Sequence, residues 1–139
     1  MNYYIFDTDH LSLYQRGHLG LKAQIDLIGL EDVATTVSTA EEQMRGRLAQ
    51  IRAAKTEAEQ LKAYRLLRET MEIIRDFQIL DYDAAARTIY ESFRQQKLRV
   101  GTADLRIAAI ALSVNAIVVT HNVRDFEQIQ GLNIQNWTV

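Results

Sequence analysis

Short aromatic or β-branched runs alternate with helix-forming stretches along the whole 139-residue chain, and this alternation constrains the fold more than any other feature. Strands are expected over residues 3–6, 33–37, 77–80, 116–120 and 133–137, the last at a sheet edge. Between them, a short helix is expected through Leu11, Leu13 and Tyr14, and another over 19–30. A third should start at Ser38 or Thr39. The stretch 51–76, rich in Ala, Glu, Lys, Leu and Arg, reads as one long helix. Asp83 caps a helix running to about Lys97, residues 105–114 form the most apolar helix, and a short one follows Asn122. Strands separated by helices need crossover connections. The expectation is therefore an α/β fold with a mainly parallel central sheet and helices on both faces, a single domain over 1–139.

Composition narrows the chemistry. There is no cysteine, so disulfides, thiolate metal sites and thiol nucleophiles are excluded. The formal charge is −2, so binding to a nucleic acid must use a local patch rather than an overall basic surface. No apolar run approaches the length of a membrane span. Met1-Asn2-Tyr3-Tyr4 opens without a basic region, so no signal peptide is expected and the cytoplasm is the default location. His10, His18 and His121 lack the spacing of a zinc site.

The acids carry the functional signal. Asp7 ends the first strand, and in open α/β sheets ligands bind beyond the carboxyl ends of the strands. Glu42 follows the second strand, Asp104 falls in the first turn of the apolar helix, and Asp125 lies just after the strand ending at Thr120. Carboxylates gathered at one rim repel each other by roughly 1 kcal/mol per pair in water at about 4 Å, and by about 4 kcal/mol at an effective dielectric of 20. Such a group needs protons or a cation. Hard oxygen ligands suit magnesium or manganese, ions that serve phosphodiester hydrolysis.

Each acid also has a plainer role. Glu41 or Glu42 would close a capping box with Ser38 or Thr39. Asp104 would complement a helix dipole, Asp125 would close a cap with Asn122, and Asp9 reads as a helix cap rather than a ligand. Arg45, Arg47 and Arg52 form a basic stretch beside Glu42, suited either to RNA phosphates or to a solvated helix face.

Several short motifs occur in a defined order: Phe6-Asp7-Thr8-Asp9 with Arg16-Gly17, then Thr39-Ala40-Glu41-Glu42 ahead of Gly46. Gly101-Thr102-Ala103-Asp104-Leu105 and Ile107-Ala108-Ala109 follow, then Val119-Thr120-His121-Asn122 with Arg124-Asp125-Phe126, and an ending from Gly131-Leu132 to Trp137. Together they resemble a PIN domain of the VapC toxin type across essentially the whole chain. The resemblance implies an acidic pocket of Asp7, Glu42 and Asp104, with Asp125 or Asn122 as fourth member, holding Mg2+ or Mn2+. It implies RNA cleavage, a cognate antitoxin as partner, and a homodimer. It selects Glu42 over Glu41, because the family glutamate lies four residues before a glycine. Asp9 departs from it, since the family usually has Asn there, and adds a charge.

Two other functions fit part of the sequence. A haloacid-dehalogenase-like phosphatase also places Asp-x-Asp after its first strand, with the first Asp as nucleophile. Leu11 stands where that family has Thr or Val, and its late lysine is missing. A non-catalytic binding module would keep the fold but not the cleavage.

Overall fold

The structure, a computed structural model, describes residues 3–138. Met1 and Asn2, which carry part of the signal-peptide expectation, lie outside the described residues, as does Val139. Five short strands, β1 (Tyr4–Phe6), β2 (Val33–Thr36), β3 (Gln78–Leu80), β4 (Ile117–Val119) and β5 (Asn133–Gln135), form one sheet in the order β3-β2-β1-β4-β5. Every pairing is parallel. β1 is central, because Tyr4-Ile5-Phe6 buries side chains on both faces and only a strand covered on both sides can do so.

Seven helices cover the sheet among the described residues: α1 (Thr8–Gln15), α2 (Leu19–Ile28), α3 (Val37–Ala53), α4 (Glu57–Arg75), α5 (Ala84–Gln96), α6 (Thr102–Ser113) and α7 (Val123–Phe126). Consecutive strand residues alternate between two cores. Ile5, Ala34 and Val118 pack with α5 and α6, and Phe6, Val33 and Val119 pack with α1, α2 and the end of α4. The all-round apolar character of α6 is used fully: Ile107, Ala108, Ala109, Ile110 and Ala111 are completely buried. Truncating one of its isoleucines to alanine would cost about 2–5 kcal/mol. Trp137 lies past β5 and closes the second core against the rings of Tyr4 and Phe6 at 5.3 and 5.5 Å.

Among the boundaries that differ from the sequence expectation, three have a clear local reason. α2 ends at Ile28 rather than residue 30, because Gly29 adopts φ +98°, outside any helical region. α3 starts at Val37, not at Ser38 or Thr39. Thr36 is its cap, with its hydroxyl accepting from Thr39 N at 3.0 Å, so no glutamate closes a capping box there. The expected helix over 51–76 is two helices. Thr56 caps α4, its hydroxyl accepting from Glu59 N at 3.1 Å, while the Glu59 carboxylate accepts from Lys55 N at 3.1 Å. These two bonds cap the helix and its approach, and they start a new helix inside helix-forming composition.

Candidate active site

Reading outward from β1, the strand order runs to β2 and β3 on one side and to β4 and β5 on the other. The order reverses between β1 and β4, where the connections diverge and leave a crevice beyond the strand ends. Asp7 and Thr120 end these two strands there, and the Thr120 hydroxyl donates to Asp7 Oδ2 at 2.5 Å. A cleft of about 180 Å³ opens beside them, lined by Asp7, Thr8, Asp9, Glu42, Asp104 and Asn122. Larger grooves of about 290 and 490 Å³ lie along the α3–α4 hairpin and the outer face of α5, but each has one acid in its lining.

Asp7 is buried and has donors on both oxygens. Oδ1 accepts from His10 N at 2.9 Å, so Asp7 is also the N-cap of α1. Asp9, expected to be the cap, is instead an exposed first-turn residue whose Oδ2 lies 3.4 Å from His121 Nε2. Burial pushes the Asp7 carboxyl upward, but His10 and Thr120 outweigh it and hold the group below the usual carboxylate range.

Asp104 meets the opposite balance. It sits in the first turn of α6, behind Gly101, a cap residue with no side chain to contribute. Burial and then the charge of Asp7 push its pKa up. The Asn122 amide, donating at 3.2 Å, pulls it back, while Glu42 and Asp125 push it further, to about 6. The acids are therefore close enough to feel each other, as the sequence implied.

Glu42 reaches the cleft from α3 and accepts the Thr8 hydroxyl. Glu41 points elsewhere and pairs with Arg45 at 2.9 Å. The basic stretch is divided. Arg45 is taken by Glu41, and Arg47 donates to Thr70 at 2.8 Å and to Gln50 at 3.0 Å, tying α3 to α4. Asn122 precedes α7 without making a side-chain cap. Its amide bridges Asp104 and Asp125, the latter at 3.0 Å, so Asp125 stands behind Asn122 and outside the cleft lining.

Sequence reasoning missed Thr8, His10 and Thr120. Thr120 carried a legible signal, a hydroxyl ending a buried strand next to the one Asp7 ends. His10 was weighed only as a zinc ligand, and its spacing from Asp7, three residues on in a capped helix, was the overlooked sign.

As the side chains stand, no three His, Asp or Glu among the described residues converge on one point to coordinate an ion. The donor set nonetheless fits a hard divalent cation in its chemistry. It is all oxygen, it is mutually repelling, and two of its members, Glu42 and Asp104, accept from one neutral side chain each, Thr8 and Asn122.

The comparisons with known proteins agree with this architecture. Ribonuclease VapC1 of Haemophilus influenzae (strain R2866) is 36% identical over 80 residues, covering 56% of this chain and 57% of that protein. A tRNA(fMet)-specific endonuclease VapC of Shigella flexneri is 42% identical over 64 residues, 43% of this chain and 48% of that one. The alignments thus span about half the length of these relatives. In three dimensions the chain superposes on a crystal structure of DNA-bound VapBC from Salmonella typhimurium with a TM-score of 0.82 and 25% identity, over 99% of each chain. The PIN domain model matches residues 4–132, and the chain belongs to the PIN domain family.

Proposed function

We propose that the protein is a metal-dependent endoribonuclease that hydrolyses RNA phosphodiester bonds, the toxin of a type II toxin–antitoxin pair. The observation that carries this reading is the cluster of Asp7, Glu42 and Asp104 at the reversal of strand order, in a chain similar to ribonucleases of the VapC type.

Asp7, Glu42 and Asp104 would hold Mg2+ or Mn2+, with Asp125 as a fourth acid acting from behind Asn122. When bound, the ion supplies an activated water and steadies the leaving oxygen. The protein's own part is positional and electrostatic. Thr120 and the α1 backbone fix Asp7 in its charged form, ready to meet a cation. Asp104, raised to about 6, gives up its proton most readily when positive charge enters the cleft. Asn122, held between Asp104 and Asp125, donates its amide to both carboxylates and links Asp125 to the cleft.

The phosphatase reading is disfavoured by the cleft itself, since no lysine is in its lining to balance a phosphoryl group. Among the described residues no helix is long and apolar enough to cross a membrane. The proposed setting is the cytoplasm, where RNA and a cognate antitoxin meet the protein. An antitoxin tail with an arginine would neutralise the cleft by pairing its guanidinium with the carboxylates. A homodimer is part of the same proposal.

The test is RNA digestion by the purified chain. Cleavage should cease in excess chelator and return with magnesium or manganese. Undiminished cleavage in chelator would overturn the mechanism.

A further inference from the structure

His10 is a polar group in an apolar place. Its ring is completely buried, packed between Phe6, with centroids 5.8 Å apart, and His121, 6.0 Å away on the cleft side. Neither ring nitrogen has a hydrogen-bond partner among the described residues. A phenylalanine of similar size would fill the site without orphaned nitrogens, so packing alone does not account for an imidazole there.

What the imidazole has and a phenyl ring lacks is a nitrogen beside Asp7. Nδ1 lies 3.4 Å from Asp7 Oδ1, about 0.2 Å beyond ordinary N–H···O length. The two oxygens of Asp7 are otherwise held from one direction each, Oδ1 by the backbone of α1 and Oδ2 by Thr120 at the end of β4. A single hydrogen bond on each oxygen leaves the carboxylate some latitude to turn about its Cβ–Cγ bond. A further donor on Oδ1 narrows that latitude. His121 closes the far side of the His10 ring and is itself held at the rim by Asp9 at 3.4 Å. The ring is thus confined between Phe6 and the Asp9–His121 pair.

We propose that His10 is a positioning residue for Asp7. With its proton on Nδ1 it donates to Oδ1 and fixes the plane of the carboxylate, so that the lone pairs left free face the cleft and a divalent cation. The inference rests on the metal-nuclease reading above. It is the outer-partner arrangement by which metal-binding side chains are commonly oriented, and losing such a partner weakens metal binding by about 10- to 100-fold.

The experiment is titration of the full chain with Mn2+ alone, followed by calorimetry and by the manganese EPR signal, together with urea unfolding in EDTA. Wild type, His10→Phe and His10→Asn are compared at one pH. Phenylalanine keeps the ring volume and removes the donor. Asparagine loses volume but places an amide N–H where Nδ1 stands. Positioning predicts that His10→Phe binds Mn2+ about tenfold more weakly while unfolding in EDTA no more easily than wild type. It also predicts that His10→Asn recovers most of the affinity although it is less stable. Should the phenylalanine not fit, His10→Leu takes its place in the same comparison.

Two results would overturn the inference: His10→Phe binding Mn2+ as tightly as wild type, or affinity following stability across the series. Absence of Mn2+ binding in the wild type would be a different failure. It would remove the metal-nuclease reading first, and this inference with it.

Discussion

Asp7 and Asp104 line the same cleft, yet the protein treats them in opposite ways. Asp7 has the His10 side chain beside it, the Thr120 hydroxyl on one oxygen and the α1 backbone on the other, and its pKa is held below the usual carboxylate range despite burial. Asp104 has one neutral amide and three acids around it, and its pKa rises to about 6. One wall of the cleft is built to carry charge, and the other carries it only under strain. Burial pushes both groups up, and the difference lies in their donors and in the charges beside them. A strained wall opposite a supported one stores repulsion that an entering cation relieves, which favours binding without new contacts.

The comparison breaks most visibly in activity and stability together. Asp7→Asn, Glu42→Gln and Asp104→Asn should each reduce RNA cleavage by more than the roughly 100-fold upper range seen when an outer partner is lost. Stability should then separate the walls. Asp7→Asn should lose about 1–2 kcal/mol in urea unfolding, because charge-assisted bonds from Thr120 and α1 weaken. Asp104→Asn should gain stability at neutral pH in the absence of metal. Equal losses from both variants would mean that the walls do not differ.

The pH dependence sharpens the same point. A folded-state pKa raised above the ordinary 3.8 favours the protonated group in the native state. The stabilisation it gives is fully present below the unfolded pKa and is lost as pH rises through about 6. Wild-type stability minus that of Asp104→Asn should therefore fall between pH 4.5 and 7.5, by on the order of 2 kcal/mol. Asp7 has the reverse sign. Its contribution is present above the unfolded pKa and is lost on acidification through a lower folded value. A flat difference for Asp104→Asn across this range would remove the strained wall.

Added cation should rescue the strained wall selectively. Saturating Mg2+ should raise the wild-type melting temperature, as ligands bound only by the native state do. Asp104→Asn should show a smaller rise, measured by thermal unfolding with and without EDTA. The smallest effect is expected behind the cleft. Asp125→Asn should shift the magnesium concentration for half-maximal cleavage by a few-fold, about 1 kcal/mol or less, since Asp125 reaches the cleft only through Asn122. A larger shift for Asp125→Asn than for Asp104→Asn would invert the assignment.

Much of this was legible in the sequence where two signals agreed. The three inner strands, β1, β2 and β4, are buried on both faces and read as apolar or β-branched runs, and the acids near their ends fell where parallel sheets place ligands. The helix starts were less legible because hydroxyls compete. Thr35, Thr36, Ser38 and Thr39 are all capable caps, and Thr35 is withdrawn only because its hydroxyl reaches across the sheet to Phe6 O at 3.4 Å. The break before α4 was written in Thr56 and Glu59 but hidden by composition that favours helix throughout. The bridging role of Asn122 depends on Asp104, 18 residues earlier, and no local pattern reports such a contact.

The hydrogen bond between Thr120 and Asp7 joins residues 113 positions apart. A chain interrupted before β4 would already contain Asp7, Glu42 and Asp104, but not the strand that pairs with β1 or the hydroxyl that holds Asp7. Contacts this distant in sequence form only when nearly all of the polypeptide is available. The cleft is thus a property of nearly the whole polypeptide: each acid that lines it precedes β4, and none has the Thr120 hydroxyl or the β1–β4 edge to shape it until that strand is in place.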